Sequence, residues 1–422
     1  MGVATASASS RPSSNARRTG AGGVRPERVL VWAVTALVCF GLVMVYSTSS
    51  ATALLTAGDP TGQVTRQMLY ALVGVGAYVI FTRMSPAGLR RLGPVSLIVA
   101  VALLMAVLLP GIGTSVNGSR RWISLGGLGN IQPSEIAKLA LILWVAHMVA
   151  TAPGRLREPR GLVPYFAVTG LLGLLIIVEP DMDTTMILGA VLLAMLVVAG
   201  ARGRHLAAVV TGAMVLAGLV LMAAPYRRER LLAFLDPASA SDVGYQGVQA
   251  QIAVGVGGLH GVGLGDGVQK AFYLPEASTD MILATVGEEL GLLGIFAVLA
   301  GFVVVAWAGF RIALEARDLH QQVLAAGITV MVVMQAAINM GAVLGILPMA
   351  GLTLPFVSFG GSSLIVLLGC TGMLVNIGRR THANAGAARP VPVDDRRHRG
   401  GGDRRARDAG SGRGRRAGGA RG

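Results

Sequence analysis

The chain has 422 residues, of which 53% are hydrophobic and 14% are charged, and its mean hydropathy is +0.64. So apolar a composition over this length excludes an ordinary soluble protein and requires a large lipid-facing surface. We therefore predict an all-α polytopic membrane protein.

The net charge of +15 is concentrated at the two ends of the chain. Residues 1–28 contain five basic residues and one acidic residue, and residues 379–422 contain 13 basic and four acidic residues. Both tails lack large apolar side chains, which predicts disorder on either side of a membrane domain at 29–378. Their arginines suit the anionic lipids of an inner leaflet. Nucleic acid is not expected as a partner, because no aromatic side chains interleave with these arginines.

Ten apolar segments have roughly the 20 residues that a helix needs to cross a bilayer. The first segment is expected to be an uncleaved membrane span and not a signal peptide, because no small-residue cleavage site follows a short apolar core. The predicted spans are 29–51, 67–83, 93–112, 134–152, 162–178, 184–200, 205–225, 281–310, 323–346 and 363–378.

Arginines mark every second loop, and basic loops are retained on the cytoplasmic side. This alternation predicts that both termini are cytoplasmic and that a large extracellular loop, residues 226–280, joins the seventh and eighth spans. Within that loop, the apolar stretch 246–259 is too short to span, and the glycine-rich 255–267 lacks the G-x-G-x-x-G pattern of a dinucleotide site. We expect a re-entrant or interfacial segment. The basic loop residues are Arg83, Arg90, Arg91, Arg155, Arg157, Arg160, Arg202, Arg204, Arg311, Arg317, Arg379 and Arg380.

Charged residues in two outer positions indicate an anion site. Arg120 and Arg121 break the positive-inside pattern, and a guanidinium donates two parallel hydrogen bonds to a phosphate. Glu135 and Lys138 follow at the start of the fourth span, three residues apart on one helix face. That pair either contributes charge to the site or forms a structural salt bridge.

Carboxylates occupy two further outer positions. Asp280 lies at the mouth of the eighth span, where an ionisable group is costly and usually functional, although it could instead cap the following helix. Glu179, Asp181 and Asp183 lie within one turn after the fifth span. The pair Asp181 and Asp183 could hold Mg²⁺ or Mn²⁺, or the cluster could be a solvated helix connection. The segment 347–363 has two prolines and a Gly-Gly step, which is tolerated at membrane depth where it lines a cavity.

Ordered motifs along residues 29–378 closely resemble those of the SEDS family (shape, elongation, division and sporulation). They are Arg120-Arg121-Trp122, Gln132-Pro-Ser-Glu135 with Lys138, Pro180-Asp181, Tyr245-Gln246, Gln269-Lys270, Leu274-Pro-Glu276, Thr279-Asp280, Gly287-Glu-Glu-Leu-Gly291 and Leu354-Pro-Phe-Val-Ser-Phe-Gly-Gly-Ser-Ser363. The division members are more similar than the elongation members. The chain departs from the family pattern at Asp183, where Gly is usual, and at Ser278 and Met281, where His and Phe are usual.

The resemblance implies a glycosyltransferase of the bacterial plasma membrane that polymerises lipid II into peptidoglycan at the division septum. A class B penicillin-binding protein and other membrane proteins of the division machinery are the implied partners. The family's catalytic carboxylate maps onto Asp280, and its other functional charges map onto Arg120 or Arg121, Glu135, Lys138 and Asp181. A lipid II flippase, an elongation polymerase and a non-catalytic scaffold are the alternative functions.

Overall fold

The computed structural model describes residues 24–56, 61–116, 119–124, 126, 129–223, 234, 242–271 and 273–387. Most of the two basic tails lies outside the described residues, and so does the part of the large outer loop from 226 to 241, apart from residue 234. The disorder of the tails and the placement of this part of the loop therefore stay predictions. The chain forms a compact unit up to His382, and a second unit begins at Ala383.

The described residues are mainly helical, as predicted. Eight helices are long and apolar enough to cross a membrane by length and composition. The helices are α1 Pro26–Thr56, α2 Gly62–Arg83, α3 Pro86–Leu108, α4 Pro133–Thr151, α5 Pro159–Val178, α6 Met182–Val198, α7 Gly203–Ala223, α8 Asp242–Gly257, α9 Ile282–Glu315, α10 Leu319–Val343 and α11 Gly361–Ala387. A 3-10 turn, Pro153–Arg157, joins α4 to α5.

Eight of the ten predicted spans correspond to these eight helices. The sixth predicted span is α6, which has 17 residues and is a shorter apolar helix. The seventh coincides with α7, most of whose later side chains lie outside the described residues. The polytopic helical fold is therefore supported, whereas the count of ten spans stays a prediction.

A small antiparallel sheet corrects the all-α prediction. Its strands are β1 Gly113–Val116, β2 Ser119–Ser124 and β3 Asn130–Ile131, in the order β1-β2-β3. The helix before the sheet ends at Leu108, short of the predicted residue 112, because Leu109 precedes a proline and is extended, with ψ of 136°. Two of the strands have four residues or fewer, so the period-two pattern that reveals a strand has no length in which to appear.

The helix α9 is broken at Gly291, whose φ of 67° and ψ of −163° are not helical. Only glycine adopts this conformation without steric strain. The turn that follows α8 fills the break, since Leu292 N–H donates to Gly258 O at 2.9 Å and Val262 N–H donates to Glu288 O at 3.0 Å. The short apolar segment 246–259 of the outer loop thus belongs mostly to a helix, α8, and the turn that follows this helix is hydrogen-bonded to the backbone of α9 at its break.

The helices α4, α10 and α11 are the most buried of the membrane-spanning set. They carry polar side chains inward, among them Lys138 on α4 and Gln335 and Asn339 on α10, each of which is buried. Most buried polar groups in proteins are hydrogen-bonded. Lys138 donates to Glu135 and to Gln335. Gln335 and Asn339 in turn donate to carbonyl oxygens of residues 344–360, the proline-rich segment that joins α10 to α11, and these bonds shape the candidate site.

Candidate active site

Asp280 ends the outer loop two residues before α9 begins. The N-cap position of that helix is occupied by Met281, and no side chain caps the helix by hydrogen bonding. The interpretation of Asp280 as a helix cap is therefore wrong. Its backbone carbonyl accepts a hydrogen bond from Asn339 Nδ2 at 2.7 Å, which anchors the residue to α10 while leaving its carboxylate to face the loops around it.

The proline-rich segment between α10 and α11 is fastened to the loop that carries Asp280. Asn339 Nδ2 also donates to Leu352 O at 2.6 Å, so one amide holds both segments. Ser358 Oγ donates to Thr279 O at 2.5 Å. The backbone on either side of Asp280 is therefore fixed by hydrogen bonds from two different elements.

Two carboxylates approach each other over Gly351 in this segment. Gly351 N–H donates to Asp183 Oδ2 at 2.9 Å. A Cβ atom placed on Gly351 would lie 3.6 Å from Asp280 Oδ2 and 3.9 Å from Asp183 Oδ2. Asp183 and Asp280, which are 97 positions apart in the sequence, thus line the same small space.

The surroundings of Asp280 raise the pKa of its carboxyl group to about 7. Partial burial is the largest cause, because it disfavours the charged form, and the neighbouring carboxylates of Glu276 and Asp183 add repulsion. The Arg121 guanidinium acts in the opposite direction and lowers the pKa, while Asp181 raises it slightly further. A carboxylate with this pKa is ionised in a large fraction of molecules at neutral pH and is more basic than an ordinary aspartate.

The two adjacent arginines of β2 have different surroundings. Arg121 Nε donates to Glu179 O at 2.9 Å, and its Nη2 donates to Pro180 O, so this guanidinium braces the turn between α5 and α6. Arg120 is exposed. The predicted pair of anion-binding arginines is therefore divided into one that holds the site together and one that is open to a ligand.

Glu179 is buried, and neither of its carboxylate oxygens has a hydrogen-bond partner. Burial raises its pKa to about 8, repulsion from Asp181 adds to this, and Arg121 lowers it. The group is therefore mainly neutral at pH 7. The sequence groups Glu179 with the carboxylates of Asp181 and Asp183 and does not reveal this difference in pKa.

Asp181 is the N-cap of α6. Its Oδ1 accepts the Thr184 N–H at 3.1 Å, and its Oδ2 accepts hydroxyl groups from Thr184 at 2.8 Å and Ser134 at 3.4 Å. These bonds occupy the carboxylate that was predicted to bind a metal with Asp183. Within the described ranges there is also no cluster of three or more His, Cys, Asp or Glu residues suited to a metal ion. Asp181 and Asp183 therefore fit the predicted Mg²⁺ or Mn²⁺ poorly.

Glu135 and Lys138 form the predicted ion pair, with Lys138 Nζ donating to Glu135 Oε1 at 2.8 Å. Both side chains are buried. Lys138 Nζ also donates to Gln335 Oε1 at 2.7 Å, and Gln335 Nε2 donates to Thr353 O at 2.9 Å. The pair is thereby connected to the proline-rich segment, and its place in the structure favours the structural interpretation over direct contact with a substrate.

A second buried ion pair was not predicted as part of the site. Lys270 Nζ donates to Glu289 Oε1 at 2.5 Å, and both side chains are buried. Glu289 also accepts the Ser47 hydroxyl at 2.8 Å, which ties the outer loop to α1 and α9. Its neighbour Glu288 accepts the Val268 N–H at 2.7 Å. The signal in the sequence was the Glu-Glu step inside an apolar segment, which needs internal partners to be buried.

The amides on α10 were also missed. Gln335 and Asn339 are four residues apart, so they lie on one face of the helix and both reach the proline-rich segment. Two amides at this spacing in an otherwise apolar helix are the pattern that could have identified them.

Comparison with known proteins agrees with this architecture. Residues 28–383 match the family described as "Cell cycle protein", which groups FtsW, RodA and SpoVE. The probable peptidoglycan glycosyltransferase FtsW of Geobacter metallireducens is 39% identical over 358 residues, which are 84% of this chain and 95% of that protein. The stage V sporulation protein E of Bacillus subtilis is 39% identical over 84% of this chain and 97% of its own length.

Two solved structures are similar to this fold. A chain from a peptidoglycan synthase complex, studied for its coordination of polymerization and crosslinking, has a TM-score of 0.67 and 28% identity over 84% of this chain and 97% of its own. The rod shape determining protein RodA of Thermus thermophilus has a TM-score of 0.60 and 26% identity over 84% of this chain and 96% of its own. With the family match across most of the sequence, these likenesses show that the chain belongs to the FtsW, RodA and SpoVE family of cell cycle proteins.

Proposed function

We propose that this protein is a peptidoglycan glycosyltransferase that polymerises lipid II at the outer face of the plasma membrane, for septal wall synthesis in cell division. Relatives that are 39% and 40% identical to this chain are named probable peptidoglycan glycosyltransferases. The observation that carries the proposal is Asp280, whose backbone is fixed by Asn339 and whose carboxyl pKa is about 7. A general base works best with a pKa near the operating pH.

In the proposed reaction, the 4-hydroxyl of an acceptor sugar attacks the anomeric carbon of the donor sugar. Asp280 takes the proton from that hydroxyl as the new glycosidic bond forms, and the bond to the lipid diphosphate breaks, so the diphosphate leaves with its electron pair. Positive charge near the leaving diphosphate stabilises the transition state. The exposed Arg120 supplies that charge, and Arg121 contributes while it braces the turn after α5.

We also propose the finer points of the assembly. Ten spans with both tails in the cytoplasm would place Asp280 at the outer membrane surface, where a lipid-linked substrate presents its sugars. A class B penicillin-binding protein is the proposed partner, because one structural relative comes from a peptidoglycan synthase complex. The basic tails would bind anionic lipids of the inner leaflet.

The test is to purify the protein with its transpeptidase partner and supply labelled lipid II. We expect glycan ladders from the wild type and none from Asp280→Asn, because the amide keeps the shape of the side chain but cannot accept the proton. General bases contribute about 10²- to 10⁴-fold to a rate, so the loss should be at least of that order. Arg120→Ala should slow the reaction less severely.

Two results would reject the proposed function. One is full polymerisation by Asp280→Asn. The other is movement of lipid II across vesicles without any glycan product from the wild type, which would support a flippase. Gel filtration with the partner is the control that each variant is folded.

A further inference from the structure

Gly351 differs from the glycines packed in the core because it is exposed to solvent. It lies in the proline-rich segment between α10 and α11, and it is exposed while Ala350 and Leu352 on either side are buried. The neighbours therefore anchor the segment, and Gly351 faces the space beside Asp280.

The two usual structural reasons for a glycine do not apply at this position. The φ of Gly351 lies outside the positive range in which a side chain is strained. Backbone crowding is also absent, since the two atoms within 4 Å of its Cβ position are Asp280 Oδ2 and Asp183 Oδ2, at 3.6 and 3.9 Å. By contrast, a Cβ on Gly257 would lie 1.9 Å from Gly287 O. A side chain at 351 is thus compatible with the fold.

A side chain there is not compatible with a ligand at Asp280. A hydroxyl that gives its proton to a carboxylate must come within about 2.6–3.2 Å of the accepting oxygen. A methyl group at ordinary contact distance from Asp280 Oδ2 would occupy the same side of that oxygen. It would also strip water from the carboxylate, which disfavours the charged form that a base requires.

The backbone of Gly351 contributes as well. Its N–H donates to Asp183 Oδ2 at 2.9 Å and so fixes that carboxylate at the edge of the same space. Carboxylate oxygens are hydrogen-bond acceptors, and sugar hydroxyls are donors. The space above Gly351 is therefore bordered by acceptors on two sides and is suited to the hydroxyl groups of a sugar.

We propose that Gly351 forms part of the acceptor site: its missing side chain leaves room for the acceptor sugar hydroxyl between Asp280 and Asp183. This inference rests on the proposed function. It assigns the acceptor sugar to the side of Asp280 that faces the proline-rich segment, and it makes Asp183 a border of the acceptor position.

The test compares Gly351→Ala with Gly247→Ala. Gly247 is on α8, and a methyl group at this position would lie 3.7 Å from the side chain of Met349. The control therefore also adds a methyl group against the proline-rich segment, to which Met349 belongs, but away from the two carboxylates. For each variant in complex with the partner, we would measure thermal melting and the initial rate of glycan formation from lipid II. Binding of lipid II with an inverted 4-hydroxyl would be measured too, because that molecule can serve as donor but not as acceptor.

We expect Gly351→Ala to melt like the wild type and to bind the inverted lipid II normally, yet to polymerise about 100-fold more slowly or worse, as expected when a base loses its substrate proton. Gly247→Ala should retain the wild-type rate. An equal rate for the two variants would overturn the inference while leaving the proposed function intact. A failure of Gly351→Ala to fold would also overturn it, since a methyl group should fit. Absence of glycan from the wild type would overturn the proposed function and the inference together.

Discussion

The Glu135–Lys138 pair gives the sharpest test of how this membrane domain is held together. In the variant Lys138→Met, a side chain of similar length but without charge leaves the Glu135 carboxylate buried without its cation. Breaking a buried pair in this way costs about 3–5 kcal/mol. Gln335 Oε1 also loses the donor that lies 2.7 Å away, and an unsatisfied buried acceptor adds about 1–3 kcal/mol.

The double variant Glu135→Gln, Lys138→Met separates structure from substrate binding. It removes both charges, so no unpaired ion remains, and replacing a whole buried pair is often close to neutral. If the pair is structural, the double variant should regain most of the stability that Lys138→Met loses. It should also polymerise lipid II, because Gln335 can still donate to Thr353 O, and Asn339 and Ser358 still hold the backbone at Asp280.

The assay is thermal and denaturant unfolding in detergent, with glycan formation measured on the same preparations. Arg311→Met is the matched control, since Arg311 pairs with Glu315 at 3.2 Å on the surface of α9 and is more than half exposed. Exposed helical pairs contribute only about 0.3–0.5 kcal/mol, so this variant should melt almost like the wild type. A double variant that folds normally and makes no glycan would refute the structural interpretation and show that the charges of the pair are needed for the reaction.

Three further predictions concern the pH dependence of the rate, the stability of Asp280→Asn, and the topology. The polymerisation rate should fall as the pH decreases through about 7, because Asp280 must be ionised to act as a base; a rate unchanged from pH 8 to pH 6 would argue against that role. Because the pKa is raised in the folded state, ionisation of Asp280 opposes folding as the pH rises from about 4 to about 7, so Asp280→Asn should melt no lower than the wild type at pH 8. Cysteine probes at Ser241 and Ser411, both outside the described residues, should react from the outer and the inner side respectively; the opposite pattern at either position would reject the proposed topology.

The features that were predictable from the sequence are those that depend on local patterns. Apolar segment length placed eight helices near their observed bounds. The spacing of Glu135 and Lys138 predicted their contact, because residues three apart on a helix share a face. The cost of an ionisable group at the membrane edge also drew attention to Asp280, whose catalytic role stays a prediction. Each inference used only neighbours within one or two helical turns.

The missed features depend on contacts between distant segments. The break at Gly291 is stable because its backbone groups pair with the turn after α8, about 30 positions earlier. Asn339 holds Asp280 and Leu352 with one amide, although the three residues belong to three different elements. The hydrogen bonds from Lys138 to Gln335 and from Gln335 to Thr353 likewise connect α4 to α10 and α10 to the proline-rich segment. Nothing in the local sequence specifies such partners.

The aspartates of the site show why composition alone could not assign roles. Asp181, Asp183 and Asp280 are the same residue type, and the sequence placed all three at the outer ends of helices. Asp181 is saturated by hydrogen bonds at the N-cap of α6, and Asp183 is oriented by a backbone N–H. Asp280 is held through its carbonyl while burial and like charges raise the pKa of its carboxyl group. Enzymes distribute catalytic roles among equivalent groups by giving them environments that differ in their effect on the pKa. In the function that we propose, Asp280 is the aspartate that accepts the proton.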